Sequence, residues 1–400
     1  MGARPFSLSL FPVPSTPPPR GDAVALTSAL VAVDSRNPLL VPGAPGEGHC
    51  ARTLAETLDA WGFRVALVDS ASNRPNVVAR IGRPGGRTLM FNGHLDTVGV
   101  EGMTHAPFEP VVADGKLFGR GSCDMKGGVA AMCAAAVHAA DAGLDGEIVI
   151  AAVTDEEWQS AGTAALIAHG VRADAAIVTE PTRLAIGPAH RGFAWAVVNV
   201  HGVAAHGSRY DVGLDANTMA GLLLAELDAY QQAVLPRHTH PLLGRGSFHA
   251  ARISGGLGLS TYADVCRVEF ERRTLPGDSG ESFAAELRDG CARVAARDPR
   301  FRADVEVTFV QAPNDVAVDA PIVQSLARAI ETIEGAVPAI EGLSYWTDAA
   351  LLSAARIPAI CYGPGDIRLA HSATEWVPVT EVRRATAVLA QTAIDWLGAP

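Results

Sequence analysis

The chain has 400 residues, close to half of them hydrophobic, and a formal net charge of −11. That length supports more than one domain around a sizeable core, and the acidic balance argues against a nucleic-acid partner. No apolar run reaches the roughly 18 residues of a membrane helix.

In chain order, residues 1–20 are Pro-rich and are expected to form a disordered leader. Its FSLSLF stretch is too short for the apolar part of a signal peptide, so a cytoplasmic protein is expected. Six cysteines are scattered without a CxxC pair, which fits free thiols in a reducing compartment. Residues 22–65 read as helix, loop and helix, followed by the strand FRVALVD and further strands near 76–81 and 88–92. The Ala-rich run after Asp124 reads as a helix stopped by Gly143. The strand EIVIAAVT, a helix near 162–169 and the strand AAIVT follow. Alternating strands and helices predict a largely parallel sheet with helices on both faces.

The pattern changes after Pro181. FAWAVVNVHG alternates as a half-buried strand does, a helix spans about 217–232, and SFHAARISG and DVCRVEFERR read as strands. A helix near 283–297 and the strand VEVTFV complete a β-α-β-β-α-β order, that of a ferredoxin-like domain. Helix–strand alternation returns from about Pro321. The fold expected is α/β: a mainly parallel-sheet domain over 21–185 and 314–400, interrupted by an α+β domain over 186–313.

Five metal-type side chains sit at the ends of apolar runs or in loops beyond them: His94, Asp124, Glu157, Glu180 and His371. In open α/β sheets, ligands and catalytic groups collect beyond the carboxyl ends of the strands. Two imidazoles and three carboxylates would suit two divalent ions, and the acids would offset most of the ions' charge. His94 and Asp96 stand at i and i+2, so in extended backbone their side chains point the same way and Asp96 can orient the imidazole. Asp124 precedes a helix, where an Asp is ordinarily a cap, but its two oxygens can also bridge two ions. Glu156 and Glu157 are adjacent after Asp155 where a buried strand stops. One can hold metal while the other takes a proton from an attacking water, the minimum for metal-assisted hydrolysis. A lone loop histidine such as His371 usually carries no function.

The strings GHLDTV, GRGSCDMKGG, TDEE, TEPT, the TDA at 347–349 and GPG…AHSATE occur in this order. In them the chain resembles the M20 metallopeptidases, the acetylornithine deacetylase, succinyl-diaminopimelate desuccinylase and carboxypeptidase G2 group. The resemblance covers nearly all of the chain after the leader. It implies two divalent metal ions, zinc with cobalt or manganese as alternatives. His94 and Glu180 would hold one ion, Glu157 and His371 the other, with Asp124 bridging. Glu156 matches the general base and Asp96 the orienting acid. The inserted domain would be a lid and a homodimer surface. There His206 matches a histidine that polarises the scissile carbonyl, Asn217 a lid asparagine near the substrate, and Arg273 an arginine that grips a substrate carboxylate. The sequence departs from the family at Glu271, at GGLGLSTYAD and at SRYD, all expected around the substrate pocket.

The resemblance implies removal of an acyl group from an N-acyl amino acid, with carboxypeptidase or dipeptidase action as the alternative; with no apolar run of membrane length, no membrane partner is expected. AAHG at 204–207 and GDSG at 277–280 look like serine-protease strings, but that fold is two β-barrels and this chain is rich in helices. GRG at 119–121 lacks the spacing of a dinucleotide-binding loop. A non-catalytic binding protein on the same scaffold would be expected to lack a ligand or the base, and none is missing.

Overall fold

The computed structural model describes residues 17–71 and 73–398. The chain divides into two compact units. The larger takes the residues up to Ile186, Val318–Ala339 and those from Ala354 onward; the smaller takes Gly187–Ala317 and Ile340–Ser353.

At the centre of the larger unit, Arg87–His94 lies between Gly146–Val153 and Ala175–Val178, parallel to both, and Ala359–Cys361 extends the parallel set. Every residue of Gly146–Val153 is buried, as its unbroken apolar run requires of a strand covered on both faces. One edge departs from the parallel pattern. Arg64–Ala71 runs antiparallel to Arg74–Gly82, which runs antiparallel to Gly146–Val153. The link between the first two strands is too short for a crossover, and a tight turn can only reverse the chain.

The Ala-rich helix Gly127–Ala142 is almost wholly buried and packs against the C-terminal helix Val379–Leu397. Its small side chains let backbones approach closely. A Cβ at Gly128 would stand 1.9 Å from the Thr179 carbonyl oxygen, so only glycine fits where this helix begins. Asp22 caps the first helix, Ala23–Val31, by accepting from the amides of Val24 and Ala25.

The smaller unit holds an antiparallel sheet in the order Ser247–Gly255, Val265–Thr274, Gly192–His201, Arg302–Gln311. With helices Ala216–Ala233 and Gly280–Arg297, this is the β-α-β-β-α-β topology expected. The helices cover one face, where Ala194, Ala196, Val198 and Val200 pack with Leu223, Leu227, Phe283 and Leu287.

Ile340–Ser353, expected in the larger domain, belongs with the smaller unit instead. The Arg191 amide donates to the Leu343 carbonyl, Gly342 lies against the Leu242 backbone, and Trp346 packs edge-on to Phe193 and His190. The expected leader also ends early. Residues 1–16 lie outside the described residues, but the Pro18 carbonyl accepts from Trp61 Nε1 and Arg20 pairs with Asp141.

Candidate metal centre

Strand register brings the site together. His94 is aligned with Val153, Asn92 with Val178, and Cys361 with Val178. The four parallel strands therefore end along one edge, and His94, the acids at 155–157, Glu180 and the loop bearing His371 leave the sheet on the same side. Asp124 arrives from the turn that enters the Ala-rich helix, and its peptide bond to Met125 is cis.

The five expected ligands form two groups, His94–Asp124–Glu180 and Asp124–Glu157–His371. In each, one donor atom per residue lies within 4.8 Å of the others. Asp124 belongs to both through different oxygens: Oδ1 is 3.1 Å from His94 Nε2, and Oδ2 is 3.4 Å from His371 Nε2. Glu180 Oε1 is 3.9 Å from His94 Nε2, and Glu157 Oε2 is 3.0 Å from His371 Nε2. His94, Asp124 and Glu180 are buried, whereas half of the His371 side chain is exposed. His371 and Asp155 adopt left-handed backbone, with φ of 58° and 67°, which non-glycine residues reach only where their surroundings hold them.

The orientation of His94 differs in detail from expectation. Its Nδ1 lies 2.9 Å from the main-chain carbonyl of Asp96 and 3.7 Å from the carboxylate. Donation from Nδ1 to that carbonyl turns Nε2 toward Asp124 and Glu180, the tautomer a metal ligand needs. The Asp96 carboxylate acts elsewhere: Oδ1 accepts from the Glu156 amide and Oδ2 from the Glu157 amide, each at 3.1 Å. Burial raises the Asp96 pKa to about 7, against the opposing influence of His94.

The electrostatics of the cluster favour cations. Burial alone would lower the pKa of both imidazoles. Hydrogen bonds to Asp124, with Glu157 added at His371, override that; His94 is held well above its ordinary value and His371 is raised to about 11. Burial would raise the Asp124 pKa, but the two imidazoles hold it below the usual carboxylate range. The acids therefore favour positive charge at both histidines, the kind of charge that divalent cations supply. A mixed imidazole and carboxylate donor set, two triads and one shared acid together fit a pair of divalent ions.

Several supporting residues escaped the sequence reading. Glu375 anchors the turn that carries Asp124: Oε1 accepts from the amides of Cys123 and Asp124 at 3.0 and 3.1 Å, and Oε2 accepts from the Gly121 amide and pairs with buried Arg120. Pairing of Trp376–Pro378 with Lys116–Phe118 delivers Glu375 there. On the other side, Asn37 Nδ2 donates to Asp96 and Asp155, while Arg74 joins Glu47 to Asp155. Only the acidic run at 155–157 hinted at this network; Asn37, Glu47 and Arg74 lie in unremarkable sequence.

The three candidates in the smaller unit are not gathered as the metal residues are. His206 is exposed, with Nδ1 2.9 Å from Ser208 Oγ. Asn217 is exposed near the start of its helix, and Arg273 is one-third exposed and paired with Glu271 at 2.8 Å. Neighbouring Arg272 is buried and held by Glu286 and Asp278, which leaves Arg273 the available guanidinium.

Comparison with known proteins places the chain in a family. The chain is 32% identical to an acetylornithine deacetylase of Myxococcus xanthus, over 85% of this chain and 90% of that protein. It is 31% identical to an N-acetyl-L-citrulline deacetylase of Xanthomonas campestris pv. campestris, over 89% and 93%. A dinuclear metal-binding peptidase of the M20 family from Bacillus subtilis shares the fold, with a TM-score of 0.70 at 16% identity over 94% of this chain and 97% of that one. The model of peptidase family M20/M25/M40 matches residues 90–395, and the chain belongs to that family of hydrolases.

Proposed function

We propose that this protein is a metal-dependent amide hydrolase that removes an acyl group from N-acyl amino acids. The observation that carries the reading is the pair of ligand triads sharing Asp124, with Glu156 on the same loop as Glu157. The names of the relatives, deacetylases of acetylornithine and N-acetyl-L-citrulline, support the substrate class.

His94 and Glu180 would hold one ion, Glu157 and His371 the other, and Asp124 both. Bound ions, zinc by this reading, would polarise the amide carbonyl and acidify water. Glu156 takes the proton of the attacking water and returns it to the departing amine nitrogen. Asp96 keeps Glu156 and Glu157 in place through their amides. His206 donates to the developing oxyanion, Arg273 pairs with the substrate carboxylate, and Asn217 lies beside the substrate.

The smaller unit would act as a lid and as the surface of a homodimer. Around His206 it exposes Tyr210, Val212, Leu257 and Leu259, the two leucines almost completely, and apolar side chains gathered in this way suit contact with a second copy. A cytoplasmic location is in keeping with six unpaired cysteines. No helix among the described residues is long and apolar enough to cross a membrane.

Metal content measured alongside turnover of an N-acetyl amino acid panel tests the reading. Two ions per chain and hydrolysis that is lost in chelator and restored by metal are expected. Turnover confined to peptides with a free C-terminus would replace deacylation with carboxypeptidase action. Metal-replete protein with no amidase activity would end the proposal.

A further inference from the structure

The sheet face of the smaller unit opposite its helices carries an unusual group of side chains at one end. Phe193 and Trp195 alternate with core residues Ala194 and Ala196, so they project away from the helices. Phe309 pairs with Trp195 across the strands, their rings 5.2 Å apart. Phe193 lies 5.4 Å from Trp195, 5.8 Å from Phe309 and 6.4 Å from Trp346, the last edge-on. All four rings are half-buried, none enclosed in the helix-covered core.

Charge is concentrated beside them. Arg273 is aligned with Phe193, and its guanidinium sits 5.4 Å from that ring's centre. Glu271 fixes the assembly, one oxygen on Arg273 Nε and the other accepting from Trp195 Nε1 at 3.2 Å. Arg191 is tied to the Leu243 carbonyl by Nη2 at 2.6 Å. Its pKa is depressed by burial and by the positive fields of Arg273 and Arg245. Arg191 thus lies within the positive field of Arg273, the guanidinium beside the rings.

The fork of N–H donors on a guanidinium suits a carboxylate. A rigid aromatic platform suits a flat apolar group, which gains offset or edge-on ring contacts at little conformational cost. A side chain ending in an ammonium would have to enter the field of the arginines.

We propose that this arginine–aromatic face makes N-acyl aromatic amino acids the preferred substrates, with the carboxylate on Arg273 and the side-chain ring against Phe193, Trp195 and Phe309. The inference rests on the hydrolysis proposed above and narrows it to a substrate class.

The test is kcat/KM of the metal-loaded full chain on N-acetyl-L-phenylalanine and N-acetyl-L-ornithine. A preference of at least about tenfold for the aromatic substrate is expected. Trp195→Ala, and Phe309→Leu, which keeps apolar bulk and loses the ring, should each shrink that ratio at least about threefold, through KM. Equal or better use of the ornithine compound, or a ratio that neither substitution moves, overturns the inference while leaving the deacylase reading intact. If no N-acyl amino acid is turned over, that reading fails. Calorimetric binding of N-acetyl-L-phenylalanine to metal-stripped protein then still decides the face: binding tighter than that of the ornithine compound and weakened by Trp195→Ala supports it, and equal binding of the two overturns it.

Discussion

Adjacent acids at 156 and 157 carry different expectations because their surroundings differ. The Glu157 carboxylate lies in a ligand triad with Asp124 and His371, whereas Glu156 is in neither triad. Glu156→Gln keeps the shape and removes the basic oxygen, so turnover should fall about 10²–10⁴-fold while metal content stays within the error of elemental analysis. Retained turnover in metal-replete variant protein would remove Glu156 from the mechanism. Asp96 allows a finer test. Its two oxygens accept from two amides, while the His94 ring is held by the main-chain carbonyl. Asp96→Asn leaves that carbonyl in place but offers one acceptor oxygen where two are used. Metal affinity should therefore weaken by about 10–100-fold, as measured by titration with a competing chelator.

At the scale of elements, the site depends on how one turn is pinned to one strand. Glu375 satisfies three amides of the turn carrying Asp124 and the buried Arg120 guanidinium. Glu375→Gln leaves a buried cation without its counter-charge, a loss on the order of 3–5 kcal/mol for breaking a buried pair. Urea unfolding monitored by circular dichroism should show the larger unit destabilised, and the variant should lose metal. A stability matching the parent chain would contradict this role for Glu375. Such anchors also mark where sequence reading stops. Four of the five expected ligands were legible because they end or follow apolar runs whose parallel pairing places their ends along one edge, while Asp124 was legible from its place before the Ala-rich helix. The smaller unit's topology was legible from its alternation of polar and apolar residues. Asn37, Glu47 and Arg74 were not, because they act only through contacts with Asp96 and Asp155, up to 118 positions away. The antiparallel edge was missed for a related reason: FRVALVD and residues near 76–81 read as strands, but direction is set by the length of the connection between them.

Across the whole molecule, the two units should respond to different perturbations. All seven residues proposed for metal and proton transfer lie in the larger unit. Ligand linkage stabilises a folded unit by about 2.7 kcal/mol at a hundredfold excess over Kd. Chelation should thus lower the calorimetric transition of the larger unit more than that of the smaller. Acid should act on the smaller unit through His190. This ring is buried, and burial lowers its pKa to about 4 in spite of the contact of Nδ1 with the Arg191 carbonyl. An unfolded imidazole takes up its proton near 6.5. Between those values the unfolded state binds the proton and the folded state does not, so stability is complete above about pH 6.5 and declines as pH falls toward about 4. The full loss is about 3 kcal/mol from this one ring. His190→Asn keeps an N–H for the Arg191 carbonyl and cannot be protonated in this range. Scanning calorimetry of parent and variant from pH 7 to pH 4.5 should show the variant's smaller-unit transition falling less steeply. Parallel pH profiles would mean that His190 is protonated at no cost to the fold, and that other groups set the acid response of this unit.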